Sequence, residues 1–182
     1  MAINFLEQLV AEWYEYRGYF IRRNVRVGKR PEGGYECELD VVAFHPETKH
    51  LLHVEPSTDA GSWKEREKRY AKKFEAGRKY IPGMFAGLLP SSAVPEQIAL
   101  LVFTSKHRER PLAGGRAVHV AAFLEQIVTY FGGFSMMKSQ VPEQFLVLRT
   151  LQFVVEYNAQ LFKQHPNPTM RDARKSGARP SL

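Results

Sequence analysis

Three strand-like runs crowd into one short segment and leave the chain few ways to fold. "YFIRRNVRVG", "YECELDVVAF" and "LLHVEPS" are separated only by "KRPEGG" and "HPETKH". The first is rich in Pro and Gly and the second in Pro and charged residues, which is turn chemistry. Short strands joined by such turns predict an antiparallel meander. The third run ends on an acid, Glu55, with Pro56 and Ser57 behind it. A carboxylate on an apolar strand is costly unless a cation or hydrogen bonds satisfy it.

Helical patterns flank the meander. In "INFLEQLVAEWYEYRGY", Phe5, Leu6, Leu9, Val10 and Trp13 fall on one face, Asn4 is placed to cap, and Gly18 is placed to end the helix. "SWKEREKRYAKKFEAGRKYI" predicts a long charged helix with Trp63, Tyr70, Phe74 and Ala71 on its apolar side, closed by Pro82 and Gly83. "QIALLVFTS" is apolar enough for a central strand. "RAVHVAAFLEQIVTYFGG" predicts a short strand running into a helix, and "PLAGGRAV" before it reads as a turn. The last helix is expected from Pro142, a favourable first-turn residue. Helix, three strands, helix, strand, strand, helix, helix is the order of an α/β protein with a mixed central sheet between helices. One domain over 1–163 is expected. Periodicity then vanishes, and 164–182 predicts a disordered basic tail.

Charge bears on partners. There are 26 Lys and Arg against 19 Asp and Glu, a formal charge of +7. That balance favours an acidic partner, most simply nucleic acid. A single cysteine, Cys37, excludes an internal disulfide and a cysteine-based zinc site. No apolar run approaches the ~20 residues of a membrane span, and the N-terminus lacks signal-peptide character. The expectation is a cytoplasmic protein without membrane contact.

Strand alternation sorts the acids. Glu36, Glu38 and Asp40 share one face of the second strand, and His53, Glu55 and Ser57 share one face of the third. Folded as a hairpin around "HPETKH", these strands set Asp40 roughly opposite Glu55. Two carboxylates so placed repel unless a cation or proton lies between them. Mg²⁺ commonly takes one or two carboxylates and keeps several waters. Asp40 and Glu55 are therefore candidate ligands, with the Pro56 carbonyl as a third oxygen. Salt-bridged acids on a surface strand are the competing reading.

With those residues in order, the chain resembles the PD-(D/E)XK, or restriction-endonuclease-like, nuclease superfamily, especially its Holliday-junction resolvase and Mrr-like members. Their core is a helix, a three-strand meander, a helix and a further strand. Their signature is an acid on the second strand and E-x-K or D-x-K ending the third. "ELDVVAF" and "LLHVEPS" supply the two acids. "FLEQLVAEWYEYRGYF" is similar to the first helix of resolvase-like members, with Glu7 ahead of Gly18 and Tyr19. The resemblance covers residues 3–104. It implies hydrolysis of DNA phosphodiesters with Mg²⁺ or Mn²⁺, Asp40 and Glu55 as metal ligands, Glu7 as an auxiliary acid and a homodimer as an assembly. RNA is a compatible substrate.

The chain departs from the pattern at the lysine, because Ser57 stands in its place. Serine carries no charge and reaches less far. In some members the basic residue comes from the following helix, where Lys64, Lys68 and Lys72 form one stripe. Lys64 or Lys68 is the expected replacement. Otherwise the fold is a non-catalytic nucleic-acid-binding module or a structural protein. His53 and Ser57 would wall the site, and Arg22, Arg26, Arg66, Lys72 and Lys73 are candidates for phosphate contact. Glu12 is a rival first-helix acid, and His119 reads as structural.

Overall fold

The structure is a computed structural model and describes residues 4–90, 92–104, 109–158 and 160. The expected domain end at 163 and the basic tail over 164–182 lie outside the described residues. Helix α1 (Phe5–Tyr16) leads into strands β1 (Phe20–Lys29), β2 (Tyr35–Phe44) and β3 (Leu51–Ser57). Helix α2 (Trp63–Met84) connects to β4 (Glu96–Leu101), β5 (Arg110–Leu112) and β6 (Gly115–His119), and α3 (Val120–Gly132) and α4 (Leu146–Glu156) follow. The second and third strands have the bounds read from the sequence.

The sheet order is β1-β2-β3-β4-β6-β5. The first three strands are the antiparallel meander, and β3, β4 and β6 run parallel. The crossover from β3 to β4 is α2, the long connection that parallel neighbours need. Alternate side chains divide the core. Val41, Ala43, Leu52, Val54, Ile98 and Leu100 face α1, α3 and α4. Val42, Phe44, Leu51, Ala99 and Leu101 face the opposite side, packed with α2. Among the described residues, six strands and four helices thus make a mixed α/β architecture with three helices on one face of the sheet and one on the other.

Several local outcomes differ from the sequence reading. "PLAGGRAV" is more than a turn: it supplies β5 and a two-residue hairpin at Ala113 and Gly114, with φ 51° and 81°. Pro111 hides the strand signal, and an edge strand tolerates it. Pro82 lies inside the last turn of α2, where buried Ile81 and the Phe85 ring on Phe44 hold the helix to the sheet. Helix α4 begins at Leu146 rather than Pro142, because Phe145 N–H closes a turn on the Pro142 carbonyl. Its first turn lacks a cap of its own, and buried Glu12 of α1 accepts from the Leu148 N–H at 2.8 Å instead. Glu12 is therefore a packing residue. His119 caps α3 through the Ala121 N–H, a structural role as expected.

Asn24 stands opposite Asp40 in the β1–β2 register and interrupts the ladder with φ 52°. Asn is among the few residues that accept this left-handed conformation. Past this point the hairpin bends over α2, so Val25, Val27 and Leu39 pack with Ala76 and Ile81. Leu39 thereby leaves the face it would share with Val41 in a regular strand.

Candidate active site

Asp40 and Glu55 meet as the hairpin register requires. Val41 pairs with Val54, so the next step along each strand sets the two acids opposite each other. The Asp40 N–H donates to Glu55 Oε1 at 3.1 Å and ends the β2–β3 ladder there. Ser57 O accepts from Val102 N–H at 3.2 Å on the β4 side. Carbonyls alternate along a strand, so the Pro56 carbonyl points away from β4, to the β2 side. Pro56 fits there because no ladder bond asks for its missing N–H.

One cation lies between the two carboxylates. Lys73, from the third turn of α2, places Nζ 2.6 Å from Asp40 Oδ1 and also in contact with Glu55 Oε2. Lys64 and Lys68, the expected donors, are exposed and form no ion pair with either acid. The lysine that reaches both acids is Lys73, one of the residues expected at a phosphate contact. Glu7 also stays outside the cluster. Its carboxylate accepts from Asn4 Nδ2 at 2.8 Å, on a helix packed against the face of the sheet turned away from α2. Among the described residues, no three His, Cys, Asp or Glu side chains are grouped to hold a metal ion.

His53 is a partner of Glu55 rather than a wall of open space. It is fully buried, and its Nε2 lies 2.7 Å from Glu55 Oε1. Its Nδ1 takes a hydrogen bond from Gln97 Nε2 at 3.0 Å, which assigns the remaining ring proton to Nε2, donated to Glu55. Arg78 fixes the other end of Gln97 at 2.6 Å. Gly77 makes room for this chain of bonds. A Cβ there would fall within 2.7 Å of Gln97 Nε2 and collide with the His53 ring.

Burial sets the electrostatics. It pushes the Asp40 carboxyl up to about 7, with the neighbouring Glu55 adding to the rise. It raises Glu55 as well, against the pull of Asp40 and Lys73. It drives His53 down to about 3, so the ring is neutral. Burial works to lower Lys73, but the two acids outweigh it and hold the ammonium above its ordinary range.

Ser57 turns away from the acids. Its Oγ accepts from the Asp59 N–H at 3.1 Å and from Arg69 Nη2 at 3.2 Å. Arg66, offered as a phosphate contact, is buried and donates to the Asp59 carbonyl. Lys72 and Arg26 border an open cleft of about 570 Å³ above Asp40, with Arg69 and Lys73 on the same rim. Arg26 there pairs with Glu38 at 3.0 Å. Arg22 is exposed on β1.

The two acids suit a hard divalent ion in one respect: both point an oxygen at a single cationic centre, now taken by the Lys73 ammonium. Asp40 and Glu55 would hold the ion, with the Pro56 carbonyl the candidate third oxygen, and water would complete its shell. Compared with protein-family models, curated proteins and solved structures, the chain matches none. No helix among the described residues is long and apolar enough to cross a membrane.

Proposed function

We propose that the chain is a divalent-metal-dependent nuclease of the restriction-endonuclease-like fold, hydrolysing DNA phosphodiesters with Mg²⁺ or Mn²⁺. The observation that carries this reading is the convergence of Asp40, Glu55 and Lys73 on one point, beside a cleft that Arg26, Arg69 and Lys72 share with Glu36 and Glu38. Two acids on adjacent strands with a lysine from the next helix are the set that the resemblance asks for, with the lysine relocated from position 57. Antiparallel β1-β2-β3 followed by a helical crossover to a parallel β4 also agrees with that core. A metal ion held by Asp40 and Glu55 would polarise the phosphate and lower the pKa of a bound water. Lys73 would then face the phosphate and offset its negative charge, the role an ammonium serves in low-dielectric sites. His53 holds Glu55 in place and leaves Oε2 aimed at the cation.

The test is cleavage of supercoiled, linear and branched DNA in Mg²⁺ and Mn²⁺. Asp40→Asn and Glu55→Gln are each expected to abolish it. No cleavage of any form, together with no heat of metal binding in calorimetry, sinks the proposal. One observation favours a second reading, a non-catalytic module of the same fold. Glu55 already receives bonds from His53, Asp40 N–H and Lys73, so the acids are compensated without a metal. DNA binding that is indifferent to both metal and Asp40→Asn would select it.

A further inference from the structure

A second, smaller cavity of about 160 Å³ opens beside the carboxylates. Asp40, Glu55 and Lys73 line it together with Ser57, Arg69 and Tyr70. The last three are joined by hydrogen bonds. Both acceptor positions of Ser57 Oγ are filled, by Asp59 N–H and Arg69 Nη2. A hydroxyl also has one proton to give, and the Tyr70 oxygen is in place to take it. Arg69 is anchored twice, by Nη1 on Asp59 Oδ2 at 2.5 Å and by Nη2 on Ser57. A guanidinium carries five N–H donors, and these contacts use two. The Tyr70 hydroxyl closes this network, receiving Ser57 and a further Arg69 N–H and keeping its own proton to donate, on a side chain only 2% exposed with the Arg69 guanidinium 5.1 Å from its ring centre.

We propose that Ser57, Arg69 and Tyr70 form a cradle for one phosphate group of a nucleic-acid strand, seated against the Asp40–Glu55–Lys73 cluster. This rests on the nuclease reading and names the part of the substrate that the site grips. The cavity has the volume of about five waters, which suits one phosphate. A phosphodiester presents two acceptor oxygens, and an anchored guanidinium fork offers paired N–H donors to such a group. The cradle also accounts for Ser57. Two cations from α2 replace one motif lysine: Lys73 serves the carboxylates, and Arg69 reaches position 57 itself. Serine there orients the guanidinium, which a lysine would repel.

Binding of labelled duplex DNA and duplex RNA, measured by anisotropy in Ca²⁺ over a range of salt, tests the cradle apart from hydrolysis. Arg69→Ala is expected to weaken binding about tenfold and to lower the salt slope by about 0.9. Arg69→Lys should keep the slope and recover only part of the affinity. Ser57→Ala and Tyr70→Phe should weaken binding severalfold at constant slope. The same losses on both duplexes point to the shared backbone. Losses confined to one duplex assign the cradle to that nucleic acid. Arg69 also holds the Asp59 loop, so each variant is melted first. If Arg69→Ala unfolds, Arg69→Lys and Ser57→Ala carry the test. Unchanged affinity and slope in the folded variants overturn the cradle even if the wild type cleaves DNA. Losses as expected in a wild type that cleaves nothing leave the cradle standing and remove the nuclease reading. A wild type that retains neither duplex removes both.

Discussion

Replacing Lys73 with methionine removes the cation between buried Glu55 and half-buried Asp40 and keeps most of the side-chain volume. Glu55 is 1% exposed and the Asp40 side chain 19%. Breaking a buried ion pair from one side costs about 3–5 kcal/mol, because the remaining charge keeps its desolvation penalty. For a domain of this size that lowers the melting temperature by roughly 10 °C. The loss should be greatest at alkaline pH, where both acids are ionised, and should shrink in acid as Asp40 takes a proton. Excess Mg²⁺ should give back about 2.7 kcal/mol at a hundredfold excess over Kd, and less in the wild type, where the ion must displace the ammonium. Urea unfolding at two pH values, with and without Mg²⁺, reads all three effects. A loss below about 1 kcal/mol that is the same at both pH values would refute the claim that Lys73 neutralises the pair.

The wild-type protein has its own pH signature. Asp40 titrates near 7 in the folded chain against 3.8 for a free side chain, so the folded state holds the extra proton between those values. The stability from this group is fully present below about 4 and is lost as pH rises through about 7, a span worth about 4 kcal/mol; Asp40→Asn should flatten that part of the curve. Gly77→Ala drives a methyl group into His53 and Gln97 and should destabilise by about 1–3 kcal/mol, with a matching fall in midpoint by thermal melting. Lys73→Ala should abolish cleavage, and adding Ser57→Lys should not restore it, because a lysine there repels Arg69 from its bond to position 57. Ser57→Lys alone should not raise activity, because Lys73 already fills the role; a rise would mean that Lys73 is a structural ion-pair partner only.

The meander was legible because its turns are short and its strands carry their own alternation. That alternation placed Asp40 opposite Glu55, and the register agrees. Three features were less accessible. The left-handed Asn24 breaks the strand period, so Leu39 changes partners with no local signal beyond an Asn amid β-formers. The cap on α4 comes from Glu12, far away in sequence, so the local pattern points to the nearest proline as the helix start. The hairpin strand β5 is three residues long and contains a proline, below what a periodic signal can report.

The lysine is the most instructive difference, and its cause is helical geometry. Residues 58–62 carry the chain past the end of β3 before α2 begins. The first turns of α2 therefore pass beside that loop, where Arg66 and Arg69 bind Asp59. Only after them does the helix lie over Glu55. Tyr70, Phe74, Gly77 and Ile81 are the buried stripe, so a cation that reaches the sheet must flank that stripe. Lys64, Lys68 and Lys72 form a separate stripe turned toward solvent. Lys73 immediately precedes Phe74, and helical side chains lean toward the N-terminus, which carries its ammonium back over the acids. Arg69 precedes Tyr70 in the same relation and reaches Ser57. The sequence signal was a cation one position before each buried aromatic, repeated four residues apart, rather than the lysine nearest to Glu55 along the chain.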